Sequence, residues 1–313
     1  MAVVYTTKKI VESVKRRAGV PTNQSLYTDT DVLAFINEAM YGDIIPIILA
    51  EREDYLIDSV TMDIEANKNK YPIPFNAIGG KLRSIETIQN NDNDTFSIVP
   101  QIQIEQLGQP FSSGSGSSRV FYFEANNVVL FPTPKNTDGS IKLRLKYFRR
   151  PNELVVSTQG ALVNGIDLAT NTLSLSNVPS SWIVGDTIDI VKGRPPFTVV
   201  SAGISIVSIA GNDVQFSAGE LDDVVLQDTL ALEGFSIVPN ISMPEAHSLM
   251  EQAGVIRLLE GVDDGNGLRT AVELYSNQKD SFRKLITPRA DSSSKKIVST
   301  NDFLSNSRYW GYS

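Results

Sequence analysis

Between Val120 and Leu154 apolar residues recur at every second position, stop at a cluster of turn formers, and then alternate again. Phe121 and Phe123, then Val128 and Leu130, make the first arm, which Pro132 and Pro134 end. Asn136, Asp138 and Gly139 supply the turn, and Ile141, Leu143, Leu145 and Tyr147 make the second arm. A two-residue period bounded by Pro, Asn, Asp and Gly predicts a β-hairpin over 120–154. No residue in it is a candidate nucleophile or metal ligand, so the stretch points to framework and assembly rather than catalysis.

Helical spacing brackets this β region. Ile10, Val11 and Val14 share a face of a predicted helix over 6–17, which also carries Lys8, Lys9, Lys15, Arg16 and Arg17. Thr28 and Asp31 form a capping-box variant, with Asp in place of Glu or Gln. Val32, Phe35, Ile36, Ala39, Met40 and Ile44 then follow at helical spacing to about Ala50, and Pro46 should kink that helix or end its regular part. A closing pair follows at the other end. Ser242 is the expected cap of the first helix, with Pro244 in its first turn. Asp263–Gly267 is a break, Asn266 caps the next helix, and Pro288 stops it.

Strand character starts near Tyr55 and runs through Ile64, Tyr71, Leu82, Ile85, Phe96 and Ile98. Asn90–Asp94 reads as a polar turn, and Phe111–Ser118 as a mobile loop. Val155 to Ser236 contains only strand and turn signals and a faint repeat. Gly185–Ile190 (GDTIDI) resembles Gln227–Leu232 (QDTLAL), and Leu173–Leu175 resembles Val214–Phe216. Two similar units of about forty residues predict a small barrel or sandwich closed by pseudo-symmetry. The expected class is α+β. It combines a helical bundle (1–54 with 237–288), a central antiparallel β layer (55–154, including the hairpin), an acidic all-β insertion (155–236) and an extended tail (289–313). The tail is polar until Arg308, Tyr309, Trp310 and Tyr312, a pattern suited to ordering on a partner.

Composition removes several chemistries. Zero cysteines exclude disulfides and thiolate chemistry, and a lone histidine, His247, excludes a two-histidine metal site. One turn into a helix, His247 reads as a packing or surface residue. Asn91–Asp94 and Asp263–Gly267 lack the spacing of a calcium loop, and Asp222 and Asp223, adjacent in a strand, would point apart. No phosphate-binding glycine motif occurs. The start MAVVYTTKKIVESVKRR has the reverse of a signal peptide's order, and no unbroken apolar run of about 18 residues spans a membrane. No catalytic residue, cofactor or metal is therefore expected. Charge is uneven: from Glu153 to Glu233 ten acids stand against two bases, Lys192 and Arg194, which accounts for the whole net charge of −8. The basic first helix is an oligomer contact or, less favoured, a DNA contact.

Several stretches resemble the head-to-tail adaptor (neck or ring) proteins of tailed bacteriophages, closest to those of short-tailed and crAss-like phages. Thr28–Ala39 (TDTDVLAFINEA) resembles the family's first long helix. Tyr71-Pro72-Ile73-Pro74 followed by Leu82-Arg83-Ser84-Ile85 is similar to its strand entry. Asn127–Pro134 (NVVLFPTP) and Leu145–Pro151 (LKYFRRP) resemble its hairpin, and Pro244–Ile286 its closing helices. The likeness covers about 1–154 and 237–290; the insertion departs from the smallest members.

The resemblance implies a homo-oligomeric ring, usually dodecameric, in the virion neck. Such a ring is assembled in the host cytoplasm and docks on the portal protein, with a downstream tail or second ring protein beneath it. DNA would pass through its channel without sequence-specific binding, and the tail residues Arg308, Tyr309, Trp310 and Tyr312 would reach into the portal. A competing reading is a carbohydrate-binding or adhesion β module, with Trp182, Tyr147 and Tyr122 as a sugar-stacking face. A hydrolase is the weakest.

Overall fold

Three helical segments open the chain, and the local signals that start and interrupt them are visible in the computed structural model. It describes residues 5–21, 26–89, 96–105, 120–135, 141–217 and 221–287. Helix α1 spans Thr7–Arg17 and α2 spans Asp29–Ala39. The capping box at α2 is complete: the Asp31 amide donates to Thr28 Oγ1, and the Thr28 amide donates to Asp31. One π-helical turn, Met40–Ile44, then joins α2 to α3, Ile45–Arg52, and closes with the Ile45 amide donating to the Met40 carbonyl. Pro46 stands in the first turn of α3. It has no amide to give to the turn before, and the widened π turn takes up the mismatch.

Helix α4, Glu245–Val262, and α5, Gly265–Ile286, complete the helical layer. Its core gathers Ile10, Val14, Val32, Ile36, Met40, Ile44, Ile48, Leu249, Met250 and Phe282 from all five helices and the π turn. Gly254 lets three helices approach closely, since a Cβ there would sit 3.0 Å from Ile36 and 3.4 Å from Val14. The run Asp29–Leu56 is long and apolar enough to cross a membrane by length and composition, but half of its apolar window is buried within the protein. Two sequence expectations fail here. Pro244, not Ser242, is the N-terminal boundary of α4, with no side-chain cap. The break before α5 is only Asp263–Asp264, and Asp264 rather than Asn266 caps it, accepting from the Gly267 amide at 3.0 Å. Asp263 takes the left-handed conformation (φ 61°) that ends α4, so a two-residue link suffices. Thr287 is extended, as the residue before Pro288 must be.

The β layer comprises β1 (Ile57–Asp63), β2 (Lys70–Pro72), β3 (Ala77–Gln89), β4 (Phe96–Ile98), β5 (Val120–Glu124), β6 (Asn127–Phe131) and β7 (Ile141–Arg149). They form two antiparallel sheets, β1-β7-β3-β4 and β2-β6-β5, around Tyr71, Ile85, Val128, Leu130, Leu143 and Leu145. A single hairpin over 120–154 is not what forms. Strands β5 and β6 make their own hairpin about Ala125–Asn126, and β7 leaves for the centre of the other sheet. Alternation fixes which face a strand buries but not which strand lies beside it. The polar turn at 90–94, the loop at 111–118, the turn cluster at 136–139 and the tail fall outside the described residues.

After β8 (Glu153–Leu154) come β9 (Gly160–Asp167), β10 (Thr172–Leu175), β11 (Thr187–Val191), β12 (Val199–Ala210), β13 (Asp213–Phe216) and β14 (Thr229–Leu232). These six close into a barrel, β10-β13-β12-β11-β14-β9, and β15 (Phe235–Ser236) returns to pair in parallel with β8. The two similar segments pair with each other: β11 with β14, and β10 with β13. Their hydrogen bonds also match. The Gly185 and Gln227 amides donate to the Ile206 and Val163 carbonyls at 2.9 Å, and the Ile206 and Val163 amides donate back to the carbonyls of the next residues, Asp186 and Asp228.

The helical and β parts meet at Asn37. This α2 side chain is 6 % exposed, and it both donates to the Leu154 carbonyl (3.0 Å) and accepts from the Leu154 amide (2.9 Å). It completes β8 as a neighbouring strand would. Replacing Asn37 with Leu leaves two buried backbone groups unpaired and is expected to destabilise the protein by about 2–4 kcal/mol, read from urea unfolding midpoints.

Candidate assembly site

The barrel enters and leaves the body within a few residues of one carboxylate. Asp189, in the middle of β11, is 2 % exposed. Its Oδ1 accepts from the Gly203 amide at 2.9 Å, and its Oδ2 from the Gly234 amide at 3.0 Å and Asn152 Nδ2 at 2.6 Å. Gly234 holds φ at 82°, which a side chain would resist, and so turns its amide onto this carboxylate. Asn152, on the way in, also receives Asn240 Nδ2 at 3.1 Å and gives its amide to Asn240 Oδ1 at 2.9 Å on the way out. Arg149, at the end of β7, reaches Asp58 at 3.0 Å and lies 3.7 Å from Asp189. A buried carboxylate with this many donors fixes the orientation of everything that supplies them.

A second contact ties the N-terminal segment to the same place. His247, in the first turn of α4, stacks on Tyr5 with centroids 5.0 Å apart and planes 4° from parallel. Its other neighbour is Phe197 of the barrel, also at 5.0 Å and tilted by 54°. Burial pushes the imidazole down to about 4, with the Ile241 backbone and Glu245 opposing weakly. One turn on, the buried Glu251 accepts from the Tyr5 hydroxyl and from Ser13 Oγ at 2.8 Å, and pairs with Arg17 at 2.8 Å. Burial, and then the Glu251 hydrogen bond, raises the Tyr5 hydroxyl well above its ordinary value. His247 is a packing residue.

The basic first helix divides. Lys15 is buried and pairs with Asp29 at 2.7 Å, and Arg17 engages Glu251, so both belong to the internal framework. Lys8, Lys9 and Arg16 are exposed. Arg308, Tyr309, Trp310 and Tyr312 lie outside the described residues. Asp222 and Asp223 are exposed, and Asp264 is a helix cap. Among the described residues no group of three or more His, Asp or Glu is placed to hold a metal ion. The sugar-stacking face does not form: Trp182 is in the barrel core and Tyr147 in the sheet core, both buried.

Sequence reasoning missed the junction, because Asn152, Asp189, Gly203 and Asn240 come together only through the barrel's closure. It also missed the exposed apolar residues outside the core. Leu274 and Leu285 lie three turns apart on one side of α5, 46 % and 63 % exposed. In the barrel, Ile183 and Val184 are exposed, and so are Val225 and Leu226 at the matching positions of the repeat. That signal was available, two residues upstream of GDTIDI and QDTLAL.

Compared with known proteins, residues 5–185 match the family model described as SU10 adaptor protein. The match covers the N-terminal helices, the β layer, the junction residues Arg149 and Asn152, and the start of the barrel. No curated protein matches the chain.

The buried imidazole has a pH signature. Its value in the folded protein, about 4, lies below the 6.5 of an unperturbed histidine, so the stability it contributes is complete above pH 6.5. As pH falls from 6.5 towards 4 the unfolded chain takes up a proton that the folded chain refuses, and about 3 kcal/mol is lost. Unfolding midpoints for His247→Phe, in which a ring of similar shape keeps the stack, should lack this component.

Proposed function

The chain belongs to the SU10 adaptor protein family, and we propose that it is a subunit of a ring in the head-to-tail neck of a phage. The family makes it a structural connector of the virion. In our reading the ring is a dodecamer that docks on the portal and joins capsid to tail around the DNA channel, with DNA passing through unread. The observation that carries the reading is the family match over residues 5–185.

Physical features support the finer reading. A ring subunit must offer two different sides to its neighbours. The apolar side of α5, with Leu274 and Leu285, and the exposed Lys8, Lys9 and Arg16 of α1 suit such contacts. We assign 1–54 and 237–288 to the packed helical body, 55–154 to the β layer, 155–236 to the acidic insertion and 289–313 to a docking tail. Arg308, Tyr309, Trp310 and Tyr312 give that tail a hydrophobic and cationic anchor for a groove on the portal. A sugar-binding reading has no observation in its favour, because two of its three aromatic rings are buried.

Mass photometry and negative-stain microscopy of the protein mixed with portal test this reading. Rings or portal-bound caps are expected; a persistent monomer that ignores portal would sink it. Deleting residues 291–313 should leave the circular-dichroism spectrum and melting curve unchanged while lowering portal occupancy at least about tenfold. Unchanged docking would remove the tail from the interface.

A further inference from the structure

The first described residues cross the seam between the barrel and the helical body, and one uncharged ring holds them there. Thr7 is fully buried, and its amide donates to the Ile237 carbonyl at 2.8 Å, just after β15. Two residues earlier, Tyr5 lies flat on His247, and the same imidazole meets Phe197 in the barrel segment between β11 and β12. Phe197 takes φ 53°, which a bulky residue resists, so packing holds its ring in the seam. The lead into α1, the first turn of α4 and the barrel therefore share one imidazole.

That slot suits a neutral ring. The imidazole is 6 % exposed, and its Nε2 is buried without a hydrogen-bond partner, while the Ile241 backbone engages the other nitrogen. A protonated ring would place a new N–H with no acceptor, and a charge, between two aromatic rings and out of water. The charged groups nearby offer little relief. Glu245, in the same turn of α4, is exposed and opposes the burial only weakly. Glu251, one turn on, is taken up by the Tyr5 hydroxyl, Ser13 and Arg17. The barrel segment that carries Phe197 brings the bases Lys192 and Arg194, and Asp228 there accepts from the Gly193 and Val225 amides.

We propose that Tyr5–Thr7 is an acid-released strap: protonation of His247 breaks the stack and frees this segment from the seam, leaving the barrel on the Asp189 junction and the β8–β15 pair. The device belongs to a single chain and stands apart from the ring reading. Opening returns the ring to water, where histidine titrates near 6.5 rather than about 4. The closed strap is therefore fully favoured above pH 6.5 and loses ground as pH falls towards 4. Between pH 7.5 and 4.5 the open fraction should rise at least about tenfold.

Amide hydrogen exchange of the full-length protein, corrected for the intrinsic effect of pH on the rate, reads this at pH 7.5 and 4.5. Peptides that carry the Thr7 amide and residues 237–243 should lose at least about tenfold in protection on acidification, while α2 and β14 keep theirs. His247→Phe keeps a ring in the stack but takes up no proton, so its protection should not change over this range. His247→Gln, also without a proton to gain, should show the same flat response even where its packing is looser. Tyr5→Ala should leave the Thr7 amide unprotected at both pH values; a protected amide there counts against the strap. Acid opening in both neutral variants, equal to that of the natural chain, would assign the effect to carboxylates and overturn the proposal. An unchanged Thr7 amide at pH 4.5 would overturn it too, as would a loss spread evenly over α2 and β14, which is global unfolding.

Discussion

The carboxylate of Asp189 constrains this molecule more than any other group. At 2 % exposure it cannot rely on water, and removing its partners would leave a buried charge costing several kcal/mol. Its donors come from three parts of the chain: Asn152 before the barrel, Gly203 within it and Gly234 at its end. Satisfying one group therefore sets where the chain enters the barrel, how β11 lies against β12, and where the chain leaves. Hydrophobic packing alone, being non-directional, would allow the barrel to swivel on the body. The paired amides of Asn152 and Asn240, and Arg149 bridging towards Asp58, extend that directional constraint into the β layer.

A similar logic sets the helical body on the strands. Asn37 presents an amide to both backbone groups of Leu154, and Glu251 collects Tyr5, Ser13 and Arg17. His247 fills the remaining gap with a neutral ring between Tyr5 and Phe197. These polar groups do not make the core, which Ile36, Met40, Leu249 and their neighbours supply. They determine which of several well-packed arrangements is the native one.

What the sequence revealed follows from the range of the interactions. The capping box at Thr28, the loss of helical regularity at Pro46 and the alternation of β7 depend on residues a few positions apart, and all are legible; that the irregularity takes the form of a π turn was not. The repeat was legible too, because GDTIDI and QDTLAL occupy like positions in the barrel. Partner choice was not legible: β7 pairs with β1 and β3, and not with the β5–β6 hairpin as its spacing suggested. Lys15 read as part of a basic face because its partner Asp29 lies beyond a loop. Asn37, Asn152 and Asp189 did not stand out, since nothing local distinguishes a buried polar residue from a solvated one.

The acidic character of residues 153–233 also changes meaning once the barrel is closed. As a sum it suggests repulsion, either of DNA or of neighbouring copies. Its distribution is less uniform: Lys192 and Arg194 lie at the end that also carries Asp222, Asp223 and Asp228, while Asp186 and Glu233 stand at the other. Asp228 and Asp186 are engaged in the turns, each accepting from an amide three residues before it, so part of the charge holds the barrel together rather than facing outward. Asp189 is engaged at the junction in the same way, and its grip fixes how the barrel stands on the body.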